Sequence, residues 1–187
     1  MKEEASNARA AVFLDRDGTV SEEVGYMYDV SLYKIFQWTG AAIRRLNESG
    51  MKVALATNQS GIERGYFSEA MVHRVHDHLR NEIARSQATL DAAYFCPHHP
   101  KSGCPCRKPR PGMLLQGREE LDISLERSYM VGDRYGDIQS GKAAGVTTVL
   151  VLTGNGREEH ERYRDEIIQP DLVAEDLTEA VDLILKR

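Results

Sequence analysis

Short apolar segments alternate with helical patterns along most of this 187-residue chain. Uninterrupted runs of Val, Leu and Ala are typical of strands that are buried on both faces of a sheet. Because each pair of parallel strands needs a crossover, usually a helix, the alternation favours a parallel sheet over an antiparallel one. The predicted strands lie at residues 11–14, 52–56, 92–95, 128–131, 146–152 and 172–174.

Helical patterns lie between most of these runs. After Ser68, apolar residues at positions 72, 75, 79 and 83 share one face of a long helix. Asp176 caps the last helix, and Glu179 is expected to reach back to it. We therefore predict an α/β protein with a Rossmann-like, doubly wound parallel sheet and helices on both faces, in one domain over residues 1–187. The other predicted helices span residues 41–49, 111–121, 137–144 and 177–185.

Composition excludes several classes of protein. The net charge is -5 and the basic residues are spread through the chain, so no positive stripe for nucleic acid is expected. The apolar segments are all far shorter than the roughly 20 residues that span a membrane, and the N-terminal sequence does not fit a secretory signal. We therefore expect a cytoplasmic protein without nucleic-acid or membrane partners, and a monomer. Its three cysteines then point to metal binding or burial rather than to disulfides.

Polar clusters follow four of the predicted strands: DRDGT, TNQSG, a Cys/His loop ending in Arg107 and Lys108, and GDRYGD. In an open α/β sheet, ligands bind outside the carboxyl ends of the strands, so these clusters should converge. Carboxylates of Asp15, Asp17 and Asp133 would repel one another there unless a cation lay between them. Mg²⁺, which prefers oxygen ligands and assists phosphoryl transfer, fits this arrangement.

The stretch CPHHPKSGCPC, residues 96–106, is typical of a metal-binding loop. Its three sulfurs and one imidazole match a closed, tetrahedral Cys₃His zinc site, which leaves no open position for catalysis. His99 is an alternative ligand to His98, and a metal-free loop or a bridge between Cys104 and Cys106 are alternatives to zinc. Zinc would orient the two cations that follow the loop toward a phosphate. The predicted zinc ligands are Cys96, His98, Cys104 and Cys106.

The motifs FLDRDGT, TNQSG, RKP and GDRYGD, in this order, resemble those of the haloacid-dehalogenase-like phosphatases over residues 11 to about 153. The resemblance implies that Asp15 is a nucleophile forming an aspartyl-phosphate and that Asp17 is the general acid and base. Thr57 and Asn58 would donate hydrogen bonds to the phosphoryl oxygens, and Lys108 would offset negative charge. It also implies Mg²⁺ ligands, namely Asp15, the backbone carbonyl of Asp17, and Asp133.

The chain has no room for a large cap domain, and its Cys/His loop resembles the heptose-bisphosphate phosphatase family. The stretches GYMYDV and TNQSGIERGYFSE add to this resemblance, although only three residues separate Pro100 from Cys104. Such enzymes remove the 7-phosphate of D-glycero-D-manno-heptose 1,7-bisphosphate, in nucleotide-activated heptose synthesis for lipopolysaccharide or another surface glycan. The implied substrate-binding residues are Asp15, Arg16, Asp17, Glu23, Gly25, Tyr26, Thr57, Asn58, Gln59, Ser60, Arg107, Lys108 and Arg134.

Several alternatives stay open at this point. Histidinol-phosphate phosphatases share the Cys/His pattern, and a non-catalytic, zinc-stabilised phosphate-binding module is a third hypothesis. Tyr26 could serve packing and Arg134 could be a solvated turn residue. Asp137 could touch the metal, but its position at the start of a helix favours a capping role. The histidines at positions 73, 76 and 78 are expected on a solvated or half-buried face.

Overall fold

One six-stranded sheet, parallel throughout, forms the centre of the protein, as the sequence predicts. The computed structural model describes residues 8–26 and 29–187, so Met27 and Tyr28 of the GYMYDV motif lie outside the described residues. The strand order is β3-β2-β1-β4-β5-β6. The strands are β1 (Ala11–Leu14), β2 (Lys52–Asn58), β3 (Ala92–Cys96), β4 (Tyr129–Gly132), β5 (Thr147–Val151) and β6 (Leu172–Ala174).

Helices cover both faces of the sheet and bury its apolar side chains. Val12 and Leu14 of β1 point into a core shared with α1, α2 and α6. Ala11 and Phe13 point to the opposite face, where α3 and α4 pack. The helices are α1 (Thr39–Glu48), α2 (Glu69–Ala84), α3 (Gly112–Leu121), α4 (Tyr135–Ala144), α5 (Gly156–Arg162) and α6 (Leu177–Leu185).

The strand order places a topological switch point between β1 and β4. The chain proceeds from β1 toward β3 on one side and from β4 toward β6 on the other. Leu14 at the end of β1 pairs with Leu55 of β2 and Val131 of β4. The loops after β1 and β4 therefore separate at the carboxyl edge, which is where open α/β sheets bind ligands.

Most predicted boundaries differ from the structure by one or two residues, but one helix is missing from the prediction and the expectation for His76 is wrong. The short helix α5 was not predicted, because its residues GREEHER carry no apolar stripe. Asp176 caps α6, as predicted, by accepting a hydrogen bond from the Glu179 backbone N–H at 3.0 Å, and the Glu179 carboxylate reaches back to the backbone N–H of Glu175. His76 is buried with 1% exposure instead of lying on a solvated or half-buried face.

The longest helix of the described residues, α2, has 16 residues. No helix in residues 8–26 and 29–187 is long and apolar enough to cross a bilayer.

Candidate active site and metal centres

Asp15 lies directly after β1, at the switch point. Its backbone N–H donates to the Val131 carbonyl, 2.8 Å away, which continues the pairing of β1 with β4 beyond the strand. Its Oδ1 accepts a hydrogen bond from the Arg16 backbone N–H at 2.7 Å. The carboxylate is therefore fixed at the carboxyl edge of the sheet, where a nucleophile is expected.

Three carboxylates meet at this point, and one of them differs from the expected set. Single oxygens of Asp15, Asp133 and Asp137 lie within 4.8 Å of one another, and all three residues are buried. Burial, followed by the neighbouring charge of Asp15, raises the pKa of Asp133 well above its ordinary value. Within the described residues, Asp133 Oδ1 is buried without a hydrogen-bond partner. These all-oxygen donors suit a hard cation such as Mg²⁺.

Asp137 caps a helix, the role that the sequence favours, and its carboxylate also lies in the acidic cluster. Its Oδ2 accepts a hydrogen bond from the backbone N–H of Arg134 at 3.0 Å, so it caps α4 from the third position of the helix. Its Oδ1 lies 2.5 Å from Lys108 Nζ. The same carboxylate thus belongs to the helix terminus and to the acidic cluster.

Asp17 faces away from this cluster, toward Arg16 and Gln59. Its carboxylate accepts hydrogen bonds from Arg16 Nε and Nη2, at 3.0 and 2.8 Å, and from Gln59 Nε2 at 3.0 Å. Gln59 Nε2 also donates to the hydroxyl of Thr57, 3.0 Å away. These contacts hold Asp17 in one orientation beside Thr57.

Arg16 supports the site from below and does not line it. Its side chain is 1% exposed, pairs with Asp17 and lies over the ring of Tyr33, 5.7 Å from the ring centroid. The predicted contact between Arg16 and substrate is therefore not available to its side chain in this structure. The reason is the ion pair with Asp17, which directs the guanidinium into the protein.

Lys108 is the buried cation of the site. Its Nζ lies 2.9 Å from Asp15 Oδ1 and 2.5 Å from Asp137 Oδ1, with 3% of the side chain exposed. Although burial opposes the charged form, Asp137 and Asp15 raise the pKa of Lys108 above its ordinary value. Lys108 therefore offsets part of the negative charge of the cluster.

Asn58 has a partner that the sequence did not indicate. Its Nδ2 donates to the Lys108 carbonyl and its Oδ1 accepts from the Lys108 backbone N–H, both at 3.1 Å. This reciprocal pair ties the end of β2 to the loop that carries Lys108. Donation from Asn58 to a phosphoryl oxygen stays a prediction that would use its second amide hydrogen.

A cavity of about 560 Å³ opens above Asp15. Gly61, Phe67, Gly136 and Asp137 also line it and were not among the predicted substrate contacts. Tyr26 stands at the rim with 47% exposure, and its ring lies edge-on to Tyr66 at 4.4 Å between centroids. The predicted contacts that line the cavity are Asp15, Asp17, Glu23, Gly25, Tyr26, Thr57, Asn58, Gln59, Ser60, Arg107, Lys108 and Arg134.

The cations of the cavity lie at different depths. Lys108 is buried, whereas the Arg134 side chain is 46% exposed and lies 3.4 Å from Glu23. Arg107 is half-buried and its Nη1 donates to the carbonyl of His98 at 3.3 Å. Lys108 and Arg134 thus place cationic groups at the floor and near the opening of the cavity, each of them paired with a carboxylate.

The four predicted zinc ligands form one cluster beside the cavity. Sulfur–sulfur distances among the three cysteines are 3.2 to 3.5 Å, and His98 Nδ1 lies 3.3 Å from Cys106 Sγ. Tetrahedral zinc with Zn–S bonds of about 2.3 Å needs sulfurs about 3.8 Å apart, close to these values. His99 lies outside the cluster, where its Nδ1 accepts a hydrogen bond from the Lys101 backbone. The cysteines are free, without the alternative Cys104–Cys106 bridge.

The thiols of the cluster differ in acidity: although burial opposes the thiolate, hydrogen bonds from neighbouring groups lower the pKa of Cys104 to about 6. Burial, together with a hydrogen bond to Cys106, raises the pKa of the Cys96 thiol. Such a thiol stays protonated unless a cation stabilises the thiolate, as zinc does when it displaces the proton. The Cys/His cluster is thus able to hold zinc and, through Cys106, directly precedes Arg107 and Lys108.

Comparisons with known proteins identify the family to which the chain is similar. A family model described as HAD-hydrolase-like, for haloacid-dehalogenase-like hydrolases, matches residues 105–180. The D-glycero-beta-D-manno-heptose-1,7-bisphosphate 7-phosphatase of Yersinia pestis is 44% identical over 152 residues, which cover 77% of this chain and 81% of the relative. The D-glycero-D-manno-heptose-1,7-bisphosphate 7-phosphatase of Thermosynechococcus vestitus is 42% identical over 187 residues, covering 94% of this chain and 95% of the relative.

A solved structure extends the similarity to the fold. The crystal structure of D,D-heptose 1,7-bisphosphate phosphatase from B. bronchiseptica, complexed with magnesium and phosphate, matches with a TM-score of 0.87 and 34% identity. The match covers 95% of this chain and 98% of that chain.

Proposed function

Because this chain belongs to the heptose-bisphosphate phosphatases of the haloacid-dehalogenase-like superfamily, we propose that it removes the 7-phosphate of D-glycero-D-manno-heptose 1,7-bisphosphate. One observation of the site supports a bisphosphate as the substrate. Lys108 lies at the floor of the cavity beside Asp15, and Arg134 lies at the exposed rim. Cations at two depths suit a substrate that places one phosphate at the nucleophile and the other near solvent.

The reaction uses two carboxylates in turn. Asp15 attacks phosphorus and forms an aspartyl-phosphate, while the oxygen on C7 leaves with a proton from Asp17. A water molecule then attacks the phosphorus, gives its proton to Asp17, and releases inorganic phosphate and free Asp15. Arg16 and Gln59 keep Asp17 oriented through both steps. Lys108, Thr57 and Asn58 stabilise the charge on the transferred phosphoryl group.

Mg²⁺ is proposed as the catalytic metal and would be held by Asp15, the backbone carbonyl of Asp17, and Asp133. Asp133 lies beside Asp15, and its Oδ1 has no hydrogen-bond partner among residues 8–26 and 29–187, which supports this assignment. When bound, the ion neutralises charge on the carboxylates and on the phosphate. Asp137 keeps its contacts with Lys108 and with the start of α4, next to these ligands.

Zn²⁺ is proposed as a structural metal at Cys96, His98, Cys104 and Cys106. Its role follows from chain order, because Arg107 and Lys108 come directly after the last ligand. A closed Cys₃His site holds its loop rigidly and leaves no position for a reacting water. Zinc therefore fixes the two cations that contact the substrate.

The remaining assignments are proposed with the function. The substrate is a small sugar phosphate, and the product feeds nucleotide-activated heptose synthesis for lipopolysaccharide or another surface glycan. We place the enzyme in the cytoplasm as a monomer with one domain over residues 1–187, the last supported by the single sheet that the described residues form.

The test is a comparison of substrates with purified, zinc-loaded protein. Catalytic efficiency on the heptose 1,7-bisphosphate should exceed that on histidinol phosphate and should require added Mg²⁺. Asp15→Asn should abolish phosphate release while the variant stays folded and retains zinc. Turnover of histidinol phosphate without turnover of heptose bisphosphate would reverse the choice of substrate, and full activity of Asp15→Asn would falsify the covalent mechanism.

A further inference from the structure

The turn that follows β5, residues 153–155, contacts both acidic segments of the site. The backbone N–H of Asn155 donates to Asp133 Oδ2 at 2.8 Å, and the Asn155 side-chain Nδ2 donates to the same oxygen at 3.2 Å. The hydroxyl of Thr153 donates to the carbonyl of Gly18 at 2.6 Å. Gly18 belongs to the loop that carries Asp15 and Asp17, so one short turn joins that loop to Asp133.

Two glycines allow this close approach. A Cβ on Gly18 would lie 2.1 Å from Asp133 Oδ2, and a Cβ on Gly154 would lie 2.3 Å from the same atom. Both residues have positive φ angles, +84° and +54°, which favour glycine. Asp133 Oδ2 is therefore enclosed between two backbones and bonded twice by Asn155.

The consequence concerns the other oxygen of Asp133. With Oδ2 occupied by two donors, Oδ1 is the atom left for a cation, and among the described residues it has no hydrogen-bond partner. We propose that the turn Thr153–Gly154–Asn155 is a positioning element of the metal site. Asn155 presents one oxygen of Asp133 to Mg²⁺, and Thr153 holds the nucleophile loop at the matching distance. The proposal rests on the Mg²⁺ site of the proposed function.

The contacts of Thr153 and Asn155 are not needed merely to attach α5 to the rest of the protein. α5 has a separate anchor one turn later, where Glu159 Oε2 accepts a hydrogen bond from the backbone N–H of Tyr135 at 2.7 Å. The Glu159 side chain is 11% exposed and also lies 4.0 Å from Arg134. Glu159 thus gives a matched control, since its loss loosens α5 without touching a proposed metal ligand.

The experiment is a calorimetric titration of MgCl₂ alone into zinc-loaded, magnesium-free protein. Partners of metal ligands typically change metal affinity by about 10- to 100-fold, and Asn155→Ala keeps the backbone hydrogen bond, so we expect weakening by about tenfold. Thr153→Val keeps the side-chain shape and loses the hydrogen-bond donor, so it should also weaken Mg²⁺ binding. Glu159→Ala should lower thermal stability and stay within about twofold of the wild-type Mg²⁺ affinity, because the metal ligands keep their partners.

The outcomes separate positioning from general loosening. Wild-type affinity in Asn155→Ala, or equal weakening in Asn155→Ala and Glu159→Ala, overturns the proposal. If Asn155→Ala does not fold, the Mg²⁺ affinity of Thr153→Val is the test. An affinity equal to that of the wild-type protein then overturns the proposal. Absence of Mg²⁺ binding by the wild-type protein removes the metal site and the proposal together. The titration contains no substrate. Failure of the protein to hydrolyse heptose bisphosphate in a separate assay therefore refutes the proposed substrate and leaves the measured Mg²⁺ affinities unchanged.

Discussion

Replacing Lys108 by Met should destabilise the protein far more without Mg²⁺ than with it. The Lys108 side chain is 3% exposed and forms ion pairs of 2.9 and 2.5 Å with Asp15 and Asp137. Removing one partner of a buried ion pair costs about 3–5 kcal/mol, because the remaining charge is left uncompensated. For a chain of this size each kcal/mol lowers Tm by roughly 2–4 °C, so we expect a loss of about 6–20 °C.

Thermal unfolding of zinc-loaded protein at pH 8, with and without MgCl₂, is the assay. Mg²⁺ should recover at least half of the loss, because a cation among Asp15, Asp133 and Asp137 replaces the missing charge. Lys142→Met is the matched control: its 2.6 Å ion pair with Asp171 is 34% exposed on both sides, and surface pairs contribute at most about 1 kcal/mol. An equal loss of Tm in both buffers, or a loss no larger than that of Lys142→Met, would refute the reasoning.

Two other predictions concern His76 and zinc. Burial lowers the pKa of His76 to about 3. Because an unfolded histidine titrates near 6.5, protonation favours the unfolded chain below that pH. The free energy of unfolding therefore keeps its full value above about pH 6.5 and declines as pH falls toward 3, by about 2 kcal/mol at pH 5. The free energy of unfolding of His76→Gln should therefore change less between pH 7.5 and 5 than that of the exposed control His73→Gln, and parallel curves would contradict this. Removing zinc with a chelator that leaves Mg²⁺ bound should abolish phosphatase activity, because Arg107 and Lys108 lose their support; full activity in zinc-free protein would rule out this link.

The fold was predictable because burial requires a pattern that can be read from the residues. Continuous apolar runs such as residues 11–14 have no polar face, so they fit only the interior of a sheet covered on both sides. β2 is longer than its apolar run because Thr57 and Asn58 extend the ladder while their side chains belong to the site. Because polar residues at the end of a strand interrupt its apolar run, the sequence does not show where the strand ends.

The burial of His76 also has a signal in the sequence. Position 76 lies three to four residues from Val72 and Leu79, on the apolar face of α2. A histidine at such a position is buried with the face to which it belongs.

The contribution of α5 could not have been found in the same way. Its sequence, GREEHER, has neither an apolar stripe nor a capping side chain. Its place follows from tertiary contacts, including Glu159 with the start of α4 and the preceding Asn155 with Asp133. Likewise, the sequence predicts that Arg16 is near Asp17 but cannot show that their ion pair directs Arg16 inward.

The Cys/His cluster was predictable because the spacing of its residues is short and the loop is local. Cys96, His98, Cys104 and Cys106 lie within eleven residues, so few arrangements of the chain keep them apart. The pairing of Lys108 with Asp15 joins distant parts of the chain. The family resemblance implies this pairing, but the distance between Lys108 and Asp15 is known only from the folded structure.

The position of the phosphate that is released tests the central claim most directly. The measurement is ³¹P NMR of D-glycero-D-manno-heptose 1,7-bisphosphate incubated with the wild-type protein and Mg²⁺. We predict that the C7 phosphate signal disappears as inorganic phosphate appears, while the anomeric phosphate signal persists on the sugar. Loss of the anomeric phosphate first, or no release of phosphate from either position, would contradict the proposed function.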